Sequence, residues 1–146
     1  MATIREILNA RPKPGEIWTA TPETTVFEAL EMMADKDVGA LVVVKDGKVV
    51  GIFSERDYAR KVILKGKSSR EMRVAELMSA PVLYVRPDQG IQDCMALMTR
   101  RHVRHLPVLE GDELVGIVTI GDVVKEVISA QGETIEHLEQ YIRGEP

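Results

Sequence analysis

Val50-Gly51-Ile52-Phe53-Ser54-Glu55-Arg56-Asp57 returns further along the chain as Val115-Gly116-Ile117-Val118-Thr119-Ile120-Gly121-Asp122. Each stretch passes from branched apolar residues, across a glycine, to a hydroxyl and then an aspartate three places on. The apolar part has the composition of a buried strand. A hydroxyl followed three residues later by a carboxylate is how a helix begins. A strand running straight into a helix, written twice, makes duplication the first fact about the fold.

Working outward, the register holds. Pro22 matches Pro87, Val38 matches Val103, Leu41 matches Leu106 and Val43 matches Val108, all at an offset of 65 residues, with no gap from Ile17 to Val62. A lead-in recurs too, Ile4-Arg5-Glu6-Ile7-Leu8 against Val74-Ala75-Glu76-Leu77-Met78. Its spacing differs by five residues because Arg11-Pro12-Lys13-Pro14-Gly15 lengthens the first connection. Two copies predict a pseudo-two-fold pair, since a solenoid wants about three or more.

Each copy reads β-α-β-β-α. The predicted strands are Ile17–Ala20 and Val82–Val85, then helices Val26–Lys36 and Ile91–Arg101. Thr25-Val26-Phe27-Glu28 has capping-box spacing at the first helix. Hairpins follow, Ala40–Val44 with Val49–Phe53 and Leu106–Leu109 with Leu114–Val118. Asp46-Gly47 in the first is a strong turn signal. Helices Glu55–Leu64 and Gly121–Ala130 close the copies. The strands are nearly all Val, Ile and Leu, which predicts burial on both faces. The expected fold class is α/β (α+β). It consists of two pseudo-symmetric motifs packed through their sheets, with an N-terminal helix and a C-terminal amphipathic helix. The divisions are 1–70 (first motif with its lead-in), 71–130 (second motif) and 131–146 (helical tail).

Composition narrows the function. With 45% hydrophobic and 29% charged residues, the 146-residue chain has a globular balance. No apolar run approaches the ~18–20 residues of a membrane span. The opening stretch has no apolar signal core, so the expectation is a cytoplasmic protein with no membrane role. Nineteen basic against twenty-three acidic residues give a net charge of -4, which argues against a nucleic-acid partner. The one cysteine, Cys94, aligns with Ala29 on a core-facing helix position and reads as a small buried residue. His102-x-x-His105 straddles a helix end and a strand start and lacks a third ligand, so no metal is expected. No base–nucleophile pair suggests an enzyme.

The two Gly-x-x-Ser/Thr-x-x-Asp stretches, the segment His105-Leu106-Pro107-Val108 and the β-α-β-β-α order together resemble a tandem pair of CBS domains. The module takes its name from cystathionine β-synthase. The resemblance spans roughly residues 3–130, and the first copy departs from it where Ala40-Leu41-Val42-Val43 carries no proline. With no further domain attached, the chain resembles the free-standing bacterial two-motif proteins. The resemblance implies one disc with two clefts that bind adenosine nucleotides (AMP, ADP, ATP, NAD-type ligands or S-adenosylmethionine). No catalytic cofactor is implied. It also implies a ligand signal passed to a regulated partner protein, and a homodimer formed helix face to helix face.

The residues make such binding chemically sensible. Ser54 and Thr119 stand at helix N-termini, where free amides and partial positive charge suit phosphate. Asp57 and Asp122 can accept hydrogen bonds from a ribose diol. Gly51 and Gly116 allow close backbone approach. The base would lie against Thr19-Ala20 or Tyr84-Val85 and against Val38 or Val103. The strand starts add Gly39 and Ala40 in one copy, and Arg104, His105, Leu106 and Pro107 in the other. Arg56 and Arg104 are placed to meet phosphate, with Gly121 at the position of Arg56 in the second copy. Arg60 and Arg100 read as solvated helix positions. The same Ser/Thr-x-x-Asp spacing serves a plain helix cap, and the residues alone leave both uses open. The expected function is therefore a nucleotide-binding sensor of energy or redox state. A dimeric interaction scaffold with vestigial clefts is the alternative. In the tail, Ile135, Leu138 and Ile142 form an apolar stripe that wants a partner surface.

Overall fold

The computed structural model describes residues 2–11 and 16–129. The order is α1 (Ile4–Asn9), β1 (Thr19–Ala20), α2 (Val26–Lys36), β2 (Ala40–Lys45), β3 (Lys48–Ser54), α3 (Glu55–Lys65), α4 (Val74–Leu77), α5 (Ile91–Arg101), β4 (His105–Glu110) and β5 (Glu113–Thr119). A further helix, α6, covers 120–129. The tail division 131–146 and its apolar stripe lie outside the described residues. Among the described residues no helix is long and apolar enough to cross a membrane.

The duplication survives into backbone detail. Helices α2 and α5 both end on a left-handed residue, Asp37 (φ 53°) and His102 (φ 54°). Both hairpins close in two residues. Asp46 and Gly47 each have positive φ, the I′ pattern, whereas in the second turn Gly111 alone does, the II′ pattern. Thr25 caps α2 by accepting from the Glu28 amide at 3.1 Å. The Glu28 carboxylate takes the Thr25 hydroxyl (2.8 Å), so the expected reciprocal bond to the backbone amide is replaced by a side-chain one.

The first strand of each copy is shorter than expected. Only Thr19 and Ala20 pair with β2, in parallel, and in the second copy a single bridge joins Val85 to Val108. Pro107 stands where the first copy has Val42, and its missing amide removes a rung of the ladder. Burial is also less complete than expected. β2 is buried from Ala40 to Val43, but β3 and β5 alternate buried and half-buried residues. The two copies meet along β3 and β5.

Sequence order and packing disagree about the lead-in helices. Ile4 and Leu8 of α1 belong to the core built by Val85, Ile91, Cys94, Met98, Leu106, Val108, Val118 and Val123 of the second copy. Met72, Val74 and Leu77, in and before α4, belong to the core of the first copy. The backbone bonds mirror one another. The Ile4 amide donates to the Gln89 carbonyl and that of Arg5 to Pro87, while the Val74 amide donates to Thr24 and that of Ala75 to Pro22. Each copy is completed by a helix that precedes the other in sequence. The division 1–70 and 71–130 is thus one of chain order, and the packed units interlock across it.

Candidate functional site

At the start of α3, the Ser54 amide and hydroxyl both donate to Asp57 Oδ2 at 3.0 Å, and the Asp57 amide donates back to Ser54 Oγ at 3.2 Å. The second copy repeats this at the start of α6. The Thr119 amide donates to Asp122 Oδ2 at 2.8 Å, its hydroxyl at 3.1 Å, and the Asp122 amide returns a bond at 3.1 Å. The cap use of these residues is therefore realised in both copies. It occupies one carboxylate oxygen in each.

The other partners differ. Asp57 Oδ1 accepts from Ser79 Oγ at 2.9 Å and lies 3.2 Å from Lys61 Nζ, which also donates to the Leu77 carbonyl at 2.9 Å. Asp57 is buried among these groups. Asp122 Oδ2 meets Arg11 Nη2 at 2.6 Å, and the same nitrogen reaches the Ile117 carbonyl at 2.6 Å.

The caps leave space beside them. A cavity of about 370 Å³ is bounded by Gly39, Ile52, Ser54 through Asp57, Arg60, Lys61 and Ser79 from one side and by His102 through His105 from the other. That volume lies in the range of small-molecule sites. Four formal cations, Arg56, Arg60, Lys61 and Arg104, face two carboxylates, Glu55 and Asp57, so the wall is basic in an acidic chain. An adjoining groove continues past Arg56, Arg60, His102 and Arg104 to Thr99 and Ile120. Arg56 also bridges the copies, donating Nη1 to the His102 carbonyl at 2.7 Å.

The pseudo-symmetric cleft is smaller and less basic. Its cavity of about 340 Å³ is lined by Asp37, Val38, Gly39, Ala40, His105, Ile117, Thr119, Ile120 and Gly121. No lysine or arginine lines it, and Asp122 lies outside its wall. His105 borders both cavities. A Cβ on Gly39 would stand 3.2 Å from His105 Nε2, a tight contact that the ring would have to yield to by a few tenths of an ångström. Burial pushes the His105 imidazole below its ordinary value. Arg104 acts in the same direction, and Glu55, Asp122 and Asp57 oppose it.

Of the residues picked from sequence, Gly39, Ser54, Arg56, Asp57, Arg104 and His105 meet at the first cavity, and Val38, Gly39, Ala40, His105, Thr119 and Gly121 at the second. Thr19, Ala20, Tyr84, Val85, Leu106 and Pro107 line neither. Ala20, Val85 and Leu106 are core residues: Ala20 and Val85 pair edge to edge with β2 and β4, and Leu106 is a buried residue of β4 itself; Tyr84 is half exposed. Arg60, read as solvated, borders the first cavity. Ser79, Lys61 and Arg11 as carboxylate partners were not foreseen. The repeated lead-in held the signal for Ser79, which follows α4 directly.

The two glycines serve packing. A Cβ on Gly51 would meet Met78 Sδ at 2.6 Å and the Ser79 carbonyl oxygen at 3.2 Å; one on Gly116 would meet Leu8 Cδ2 at 2.9 Å. They admit the exchanged lead-in segments, where sequence reasoning had them admit a ligand. Cys94 is buried in the second core, and burial with the Asp122 charge raises its thiol to about 11. Among the described residues no group of three or more His, Cys, Asp or Glu could hold a metal ion.

Comparison with known proteins follows the same division. Residues 3–64 and 74–129 each match the CBS domain. A Burkholderia ambifaria structure described as a signal-transduction protein with CBS domains superposes with a TM-score of 0.85 at 50% identity, covering 89% of this chain and 96% of that one. The mitochondrial CBS domain-containing protein CBSX3 of Arabidopsis thaliana is 37% identical over 97% of this chain and 72% of its own length. A hexameric CBS-CP12 protein from bloom-forming cyanobacteria superposes with a TM-score of 0.75 at 28% identity, over 85% of this chain and 70% of that one.

Proposed function

The chain belongs to the CBS-domain family, and from that membership and the chemistry of the first cleft we propose that it is a regulatory module binding an adenosine nucleotide. The observation that carries the proposal is the 370 Å³ cavity, where the Ser54–Asp57 helix start faces Arg56, Arg60, Lys61 and Arg104. A helix N-terminus and several cations favour phosphate. A carboxylate on the same wall suits a ribose diol, and Ser79, the neutral partner of its Oδ1, can turn aside by rotating one bond. Convergence of more than two cations favours a ligand with at least two phosphates, such as ADP, ATP or an NAD-type dinucleotide. The cavity is shared by both copies, so an occupant preferring one separation of them shifts their arrangement by as much as that preference. This supports regulation rather than catalysis.

Calorimetric titration with AMP, ADP, ATP and NADH tests the reading. Saturable binding that Asp57→Ala weakens, with the fold kept, supports it. A well-folded protein that takes up none of the four removes it.

Two observations favour a second reading, an interaction scaffold. Both aspartates are satisfied by their own helix starts. Ile120, Val124 and Ile128 are exposed four residues apart on α6, an apolar row suited to a second copy. We read self-association, as in the hexameric cyanobacterial relative, as accompanying nucleotide binding. Light scattering of the purified chain tests it: a dimer or larger assembly is expected, and a monomer at tens of micromolar contradicts it.

A further inference from the structure

Arg56, Arg60 and Arg104 border both the first cavity and the groove that runs on from it, so the two spaces meet along a basic wall. Arg56 and Arg60 stand four residues apart on α3, and Arg104 comes from the other copy, just before β4. The groove has a volume of about 520 Å³ and no carboxylate on its wall. Among the described residues none of the three arginines forms a salt bridge. Stability does not explain the cluster. A cation in the first turn of a helix opposes the macrodipole, and like charges four residues apart repel. Arg56 uses one donor on the His102 carbonyl, but a guanidinium has five. Duplication does not explain it either. At the 65-residue offset Arg56, His102 and Arg104 correspond to Gly121, Asp37 and Gly39, and only Arg60 has a basic counterpart, Lys125. The residues that line the groove but not the first cavity are Met98, Thr99 and Ile120, two apolar side chains and a hydroxyl.

From this arrangement we propose that the groove is the subsite for the second half of a dinucleotide: adenosine at Asp57, a diphosphate bridge on Arg56, Arg60 and Arg104, and a second, uncharged nucleoside against Thr99 and Ile120. The inference rests on the nucleotide reading given above and narrows its ligand class. The wall chemistry follows the order of the ligand's parts. Carboxylate and hydroxyl groups in the first cavity suit a ribose, guanidinium groups suit a diphosphate, and exposed apolar carbon with one hydroxyl suits the face and polar edge of a ring. A mononucleotide leaves the groove unused. A triphosphate would run its last phosphate toward Met98 and Ile120, whose side chains have no donor. A cationic second ring would stand beside three arginines with no groove carboxylate to offset them.

Calorimetric titration of the full chain with ADP, ATP, NADH and NAD⁺ tests the inference. NADH is expected to bind at least about tenfold tighter than ADP or ATP, the gain from burying one ring face, and tighter than NAD⁺. Thr99→Trp fills the groove from an exposed position on α5 and should lower NADH affinity to that of ADP, with ADP still bound. Ile120→Ser, which removes apolar surface from the groove, serves as the second variant should T99W lose its fold. ADP or ATP binding as tightly as NADH overturns the inference. So does NAD⁺ binding as tightly as NADH, since the second ring would then not be selected for lack of charge. Undiminished NADH affinity in folded T99W, or in I120S where T99W does not fold, also overturns it. Failure of the nucleotide reading has a separate signature, a folded wild type that binds none of the four.

Discussion

Leu8 sits directly over Gly116, so that a single added carbon on the glycine would lie 2.9 Å from one leucine methyl and 3.0 Å from the other. The mirror contact sets Met78 over Gly51. Both pairs join an exchanged lead-in segment to the middle strand position of the copy it completes. Gly116→Ala and Gly51→Ala should each destabilise the fold by about 1–3 kcal/mol, the usual cost of overpacking. Gly51→Ala should cost more. Its new carbon would press on the Ser79 carbonyl, which is fixed by paired backbone bonds with Ile52 (3.1 and 2.8 Å), whereas Leu8 can yield by a side-chain shift. Denaturant unfolding measures both. The Leu8→Ala/Gly116→Ala double variant should lose less than the sum of the singles.

Cys94 provides a probe of the second core. With its thiol raised to about 11, roughly one molecule in a thousand carries a thiolate at pH 8. A thiol reagent should label native protein only as fast as the second core opens, and label denatured protein at once. Rapid labelling of the native chain would show that α5 is not packed as described.

The duplication explains why so much of the fold is legible in one sequence. The helices Val26–Lys36 and Ile91–Arg101 have the bounds that their apolar spacing predicts, and the hairpins close on the Asp46-Gly47 and Gly111-Asp112 turns. Local rules of capping, turn geometry and periodicity determine those features. The exchange of α1 and α4 has no local signal, since Ile4 and Val74 are apolar helix residues in either arrangement. The purpose of Gly51 and Gly116 was hidden for the same reason. At the site, Ser54, Asp57, Thr119 and Asp122 follow from the repeat. The bonds from Arg11 to Asp122 and from Ser79 to Asp57 span 111 and 22 residues and depend on that exchange.

Arg56 stands at a crossing of structure and function. Its bond to the His102 carbonyl ties the two copies, and it borders both the first cavity and the adjoining groove. Arg56→Ala should reduce ADP affinity by about 10–100-fold, the worth of a hydrogen bond to a charged group, while leaving adenosine affinity nearly unchanged. Equal loss for both ligands would place Arg56 away from phosphate.

His105 gives a pH signature. Its folded value is lowered, so as pH falls below the ordinary imidazole value of about 6.5 the unfolded chain takes up the proton first. Stability from this residue is therefore full above that value and is lost as pH drops through the interval down to the folded one. Unfolding free energy measured from pH 7.5 to 5 should fall more steeply for wild type than for His105→Gln. Parallel curves would mean that the ring is not buried between the clefts. Bound ADP should raise the His105 value, an effect that NMR titration of the imidazole reads directly.

The most direct measurement is calorimetric titration of ADP into wild type and Asp57→Ala, with thermal unfolding of both proteins alongside. Loss of the Asp57 carboxylate, which leaves Ser54, Ser79 and Lys61 without their acceptor, should cost about 1–3 kcal/mol of stability. The account predicts saturable ADP binding by wild type and at least a tenfold loss in the variant, with a cooperative unfolding transition retained. Undiminished binding by D57A, or no binding by folded wild type, would contradict it.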